Sequence, residues 1–116
     1  MPMTALTLSI LPENLALWQQ VTAEMAGPRR AAFEAAKRRQ GLQRQSVFLQ
    51  QGPDGPREIL VIEADDLGRA FELIATSQEP FDVWLREMVL AIYKLDLSQP
   101  MGAPPEQLLA WSADEA

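Results

Sequence analysis

QSVFLQQGPDGPREILVIEA, residues 45–64, decides the fold. Gln45–Gln51 and Glu58–Ala64 are rich in Val, Ile, Leu and Phe, side chains that suit a pleated surface. Between them lies Gly52-Pro53-Asp54-Gly55-Pro56. Its Asp-Gly pair reaches positive φ at little cost, and its two prolines are expected to stop either strand from extending. The stretch is therefore a β-hairpin. Upstream, Ala5–Leu11 alternates apolar and small polar residues and predicts a third strand.

Alternate residues of a strand point to opposite faces. One face collects Leu6, Leu8, Ile10, Val47, Leu49, Leu60 and Ile62, all aliphatic, and is expected to lie under helices. The other collects Ala5, Thr7, Ser9, Leu11, Ser46, Phe48, Gln50, Ile59, Val61 and Glu63. That mixture is too apolar for a solvated face and too polar for a dry core. No second set of helices is available to cover it. A second copy of the same sheet would cover it, which predicts a homodimer through the open sheet face with polar residues lining the space between subunits.

The helices follow from spacing. Pro12 closes the first strand, Asn14 is an N-cap, and Leu15, Trp18, Val21, Thr22 and Met25 recur at helical intervals. Gly27-Pro28 breaks that helix, since proline in a helix interior costs about 3 kcal/mol. Ala31–Gln40 resumes it with Ala32, Phe33 and Ala36 inward, and Gly41 stops it. Asp65-Asp66 caps a third helix whose stripe is Leu67, Ala70, Phe71 and Ile74. Pro80 starts a fourth, carried by Phe81, Trp84, Leu85, Met88 and Ile92. Lys94–Ser98 has room for a short fourth strand. Residues 1–98 then form one α/β domain, and residues 99–116 a C-terminal arm. The arm's short apolar helix, Glu106–Trp111, is expected to pack on the domain or on its dimer partner. The order of elements predicts an α+β, ferredoxin-like antiparallel sheet with helices on one face.

Composition removes whole classes of function. The 116 residues include no cysteine and no histidine, which excludes disulfides, thiolate chemistry, His-dependent triads and the commonest zinc and haem ligands. Neither a metal nor a cofactor is called for. The hydrophobic fraction of 47% is that of a globular domain. No apolar run approaches the roughly 18 residues of a membrane span, and no secretory leader is evident, so a cytoplasmic location is expected. A net charge of −6 argues against nucleic acid as a partner. Arg29, Arg30, Lys37, Arg38, Arg39 and Arg44 are nevertheless six of the ten basic residues. They suit a phosphate or carboxylate at the helix start after Pro28; the plainer reading is a solvated face with a Glu34–Arg38 pair. No phosphate loop, dinucleotide fingerprint or nucleophile elbow is present.

Five stretches carry a resemblance. Ala26-Gly27-Pro28-Arg29-Arg30, Phe48-Leu49-Gln50-Gln51, Glu63-Ala64-Asp65-Asp66, Pro80-Phe81-Asp82 with Trp84, and Asp96-Leu97-Ser98-Gln99-Pro100 span most of the chain in order. With them the chain resembles a family of small bacterial proteins of unknown function in the dimeric α/β-barrel group. The resemblance implies a homodimer with facing sheets and a cavity on the open face, and it carries over no catalytic residue. Some relatives have a His-Gly pair where this chain has Tyr93-Lys94. The wider group includes cofactor-free monooxygenases and isomerases.

Thr7, Ser9, Phe48, Gln50, Val61 and Glu63 are the candidate ligand-binding residues: an aromatic wall with polar groups to orient a small apolar ligand. A wet dimer interface is the equal alternative. Glu63, Asp65 and Asp66 form the tightest acidic cluster and allow an oxygen-ligated cation, against which the aspartates suit helix caps. Trp18 and Trp84 sit on apolar stripes and read as core. The function expected is a non-catalytic small-molecule-binding or structural module. The alternative is a cofactor-independent enzyme, monooxygenase- or isomerase-like, acting on a small apolar or aromatic substrate. In it Glu63 is the base and Thr7, Ser9 or Gln50 orients the substrate.

Overall fold

The computed structural model describes residues 2–100 and 102–114. Three antiparallel strands, β1 (Met3–Ser9), β2 (Leu42–Gly52) and β3 (Gly55–Ala64), form a sheet in the order β1-β3-β2. The helices are α1 (Leu15–Ala26), α2 (Arg30–Arg39), α3 (Leu67–Thr76) and α4 (Pro80–Tyr93), with a 3₁₀ turn at Pro12–Asn14. This is a small α+β architecture compatible with a ferredoxin-like fold.

The hairpin is tighter than the sequence suggests. Gly52 pairs with Gly55, so only Pro53 and Asp54 lie outside the strands. Proline cannot adopt positive φ, so the turn is not of the primed type, and Gly55, at φ 98°, absorbs the left-handed twist instead. Pro56 does not end its strand but sits second in β3, opposite Gln51. Its missing N–H falls at the strand's beginning, and its carbonyl accepts from the Ile10 amide at 3.1 Å.

Register settles the faces. Leu6, Leu60 and Val47 lie in one row, and Thr4, Ile62 and Gln45 in the next. Leu8 and Leu49 flank Glu58. This side packs under the helices around a core of Ile10, Trp18, Val21 and Ile92. The opposite side presents Ala5–Val61–Ser46, Thr7–Ile59–Phe48, Ser9–Arg57–Gln50 and Met3–Glu63–Arg44. Nothing among the described residues covers it, and Phe48 is 55% exposed. Leu11 lies past the end of β1, where the chain turns into the 3₁₀ segment.

The predicted helix signals mostly hold. Asp66 caps α3 by accepting from the Arg69 amide at 3.0 Å, Pro80 opens α4, and Gly41, at φ 73°, follows α2. Asn14 is not a cap through its side chain. Its Nδ2 donates across to the Ala91 and Ile92 carbonyls at 3.1 and 3.2 Å, tying the start of α1 to the end of α4. Ala32 points outward, whereas Phe33 meets Phe81 edge-on at 6.2 Å and Ala36 is fully buried.

Two predicted elements do not form. Lys94 takes a left-handed conformation that ends α4, and Asp96 Oδ1 then accepts from both the amide and the hydroxyl of Ser98. That side chain holds residues 96–98 in a turn, so Lys94–Ser98 makes no fourth strand. Residues 106–111 are not helical, and Leu108, Leu109 and Trp111 are each more than 80% exposed. Six residues behind Pro104-Pro105 are too few to nucleate a helix with no surface beneath them. The arm does rest on the domain upstream of there. Pro100 and residues 102–104 line a groove with Leu6, Phe71 and Ala75, and Thr4 Oγ1 donates to the Pro105 carbonyl at 2.8 Å.

Removing residues 106–116 should therefore leave the melting temperature within about 1 °C of the full chain. Removing 99–116 also takes the Thr4 hydrogen bond and the groove packing, about 1 kcal/mol, and should lower it by roughly 3–6 °C. Equal melting curves for the two truncations would show that the arm's contacts with β1 and α3 carry no stability.

Candidate functional site

A cavity of about 120 Å³ lies between the sheet's inner face and the helices. Leu6, Leu60 and Ile62 form its floor, Val21 and Met25 come from α1, and Phe71 and Ile74 from α3. Leu85, Met88 and Ile92 of α4 complete the roof, and Leu95 and Leu97 close one side. Few polar groups reach it: Glu58, Tyr93 and Trp18 at one end, Gln45 and Lys37 toward the other, and Thr22 from α1. Gln45 stands opposite Ile62, four strand residues from Glu58, or roughly 13 Å at strand rise.

Glu58 is 8% exposed, a carboxylate on an aliphatic face. The pleat puts it there, because it shares parity with Leu60 and Ile62. Trp18 Nε1 donates to its Oε1 at 2.6 Å, and the Tyr93 hydroxyl donates to the same oxygen. Burial, reinforced by the neighbouring Glu58 charge, holds the Tyr93 phenol well above its ordinary pKa. Tyr93 therefore remains a donor.

A second buried polar group joins α2 to α4. Asp82, in the first turn of α4, is 4% exposed. Its Oδ2 accepts from Arg39 Nη2 at 3.0 Å and from Ser77 Oγ at 2.5 Å, whereas its Oδ1 has no partner among the described residues. Lys37 lies nearby with Nζ 3.4 Å from Gln40 Oε1 and over the Phe33 ring. Burial lowers the Lys37 pKa to about 8, and the Asp82 charge offsets part of that effect.

The six residues singled out in the sequence stand elsewhere. Thr7, Ser9, Phe48, Gln50, Val61 and Glu63 share the open sheet face, whereas the cavity lies on the opposite side. Ser9 Oγ accepts from Arg57 Nη2 at 3.1 Å, and Glu63 pairs with Arg44 at 3.5 Å within the same chain. Glu63, Asp65 and Asp66 do not form a cation cage. Asp65 accepts from Gln43, Asp66 caps α3, and no three acidic side chains among the described residues converge on one point.

The basic segment is dispersed. Arg29 stacks on Trp84 at 4.0 Å and pairs with Glu24, Arg30 pairs with Glu34, and Arg39 with Asp82. The expected Glu34–Arg38 pair is replaced by Arg30–Glu34. Trp84 also packs on Phe81, and Trp18 is both core and hydrogen-bond donor. Glu58 is the residue that sequence reasoning missed. An acidic residue in step with Leu60 and Ile62 was the available signal.

Among the described residues, no helix is long and apolar enough to cross a membrane. Comparison with known proteins returned nothing: no protein-family model, no curated protein and no solved structure matches the chain. What the chain shows is its architecture, a three-stranded antiparallel sheet with four α-helices.

The depressed Lys37 pKa generates a pH dependence. The folded protein holds this proton less tightly than the unfolded chain, whose lysine titrates near 10.5. The cost is therefore full below about pH 8 and is relieved as pH rises toward 10.5. Lys37→Met should melt several degrees higher than the parent at pH 7, and the gap should narrow between pH 8 and 10. A variant that melts lower at pH 7 would show that the ammonium is held by favourable contacts.

Proposed function

We propose that this protein is a non-catalytic small-molecule-binding module whose ligand occupies the cavity between sheet and helices. The cavity is the observation that carries the reading: about 120 Å³ of largely hydrocarbon-lined space with a few polar groups at its ends. An apolar ligand would cover these walls, and cavities of comparable size hold small hydrocarbons.

We also propose a homodimer through the open sheet face. Phe48, Ile59, Val61, Ala5 and Met3 form an apolar field with no cover among the described residues. In such a dimer Thr7, Ser9 and Gln50 lie between the sheets as a polar rim.

A second reading, cofactor-independent catalysis, is favoured by one observation: a buried carboxylate, Glu58, borders the cavity. It moves the base from Glu63 to Glu58. The binding reading is preferred because both hydrogen bonds to Glu58 come from donors that keep their protons.

Titration with isoamyl alcohol, followed by NMR, tests the cavity. Saturable binding is expected, and Leu60→Phe, which fills part of the floor, should weaken it at least tenfold without lowering the melting temperature. Absence of saturable binding would contradict the reading. For the dimer, sedimentation of the parent should give twice the chain mass, and Phe48→Asp should give the chain mass. A parent monomer, or a dimeric Phe48→Asp, would place the interface elsewhere.

A further inference from the structure

Glu58 is a buried carboxylate without a basic partner among the described residues. None of the ion pairs among the described residues includes it. Its two hydrogen bonds come from neutral donors, the Trp18 indole and the Tyr93 phenol, and both reach Oε1. Oε2 receives no hydrogen bond from the described residues and, unlike Asp82 Oδ1, is not closed off from solvent; Glu58 forms part of the cavity wall. A carboxylate removed from water is ordinarily paired, because its desolvation is otherwise only partly recovered. Here the chain supplies hydrogen bonds and leaves the positive charge to come from outside.

We propose that the cavity selects a small amine: an ammonium group against Glu58, with an aliphatic body of about five carbons among Leu60, Met88 and Ile92. The proposal rests on the cavity being a ligand site. Two features favour a cation at this end: the carboxylate attracts it, and the free oxygen accepts its N–H. The cavity's one basic side chain, Lys37, is drawn toward Gln40 and Asp82, away from Glu58. The same carboxylate repels an acid of equal size, so charge discriminates among ligands that the apolar walls would treat alike.

Three ligands with one hydrocarbon body separate the possibilities: isoamylamine, isoamyl alcohol and isovalerate, titrated at pH 7 into the full chain. Isoamylamine should bind at least tenfold more tightly than isoamyl alcohol, and isovalerate should show no saturable binding. Glu58→Gln should abolish the amine's advantage, so that amine and alcohol titrated into the same variant bind within about threefold of each other. Alcohol binding with no preference for the amine overturns the proposal and leaves the cavity reading standing. No binding of either overturns both. An amine preference that survives in Glu58→Gln assigns the cation to another site and overturns the proposal. Should Glu58→Gln fail to fold, competition decides: alcohol that does not displace the amine from the parent protein also overturns it.

Discussion

One buried carboxylate organises this molecule. Glu58 sits on the central strand, held in register from both sides by Leu8 and Leu49, and faces the helix layer. Burying a charge is costly unless donors reach it, and charge-assisted hydrogen bonds are the strong ones. Trp18, near the start of α1, and Tyr93, the last residue of α4, both reach it. Asn14 fastens the same two helix ends through the Ala91 and Ile92 carbonyls. The sheet thus fixes the carboxylate, and the carboxylate fixes where one helix begins and another ends.

A second tie closes the other side of the helix layer. Asp82, Arg39 and Ser77 link α2 to the first turn of α4, with Phe33 and Phe81 meeting edge-on alongside. With α4 held near both ends, the space beneath its middle is bounded by side chains of fixed position rather than closed by collapse. The cavity between these ties is a consequence of where the polar contacts fall. The sheet's opposite face has no such constraint, and among the described residues no helix reaches its apolar centre.

Much of this was legible beforehand. Strand alternation sorted Leu6, Leu60 and Val47 to one face and Thr7, Ile59 and Phe48 to the other, because the period of two survives small errors in strand ends. Asp66, Pro80 and the Gly27-Pro28 break were readable because their chemistry is local. What failed was decided at longer range or by competition. Asn14 carries the side chain of a cap, yet carbonyls of α4 claim it. Asp96 turns a stretch of suitable length for a strand into a side-chain-held turn. Leu108, Leu109 and Trp111 have the spacing of a helix and no surface to bury against. The six residues read as a candidate site do share the open face, but the cavity beneath the helices was not legible: Glu58, in step with Leu60 and Ile62, is the acidic residue the pleat buries there. No spacing rule links Glu58 to Trp18 or Tyr93, which lie 40 and 35 residues away.

Glu58 holds the Trp18 indole at the end of the cavity, and the rest of the helix layer depends on that bond. A ¹H–¹⁵N spectrum of the tryptophan side chains, recorded with and without isoamylamine, tests it most directly. The chain has three tryptophans, and exposed Trp111 serves as an internal control. The account predicts a Trp18 indole proton far downfield of the other two, as a short bond to a carboxylate requires, that moves on adding amine while Trp111 stays fixed. A Trp18 signal at the ordinary indole position, unmoved by the amine, would contradict it.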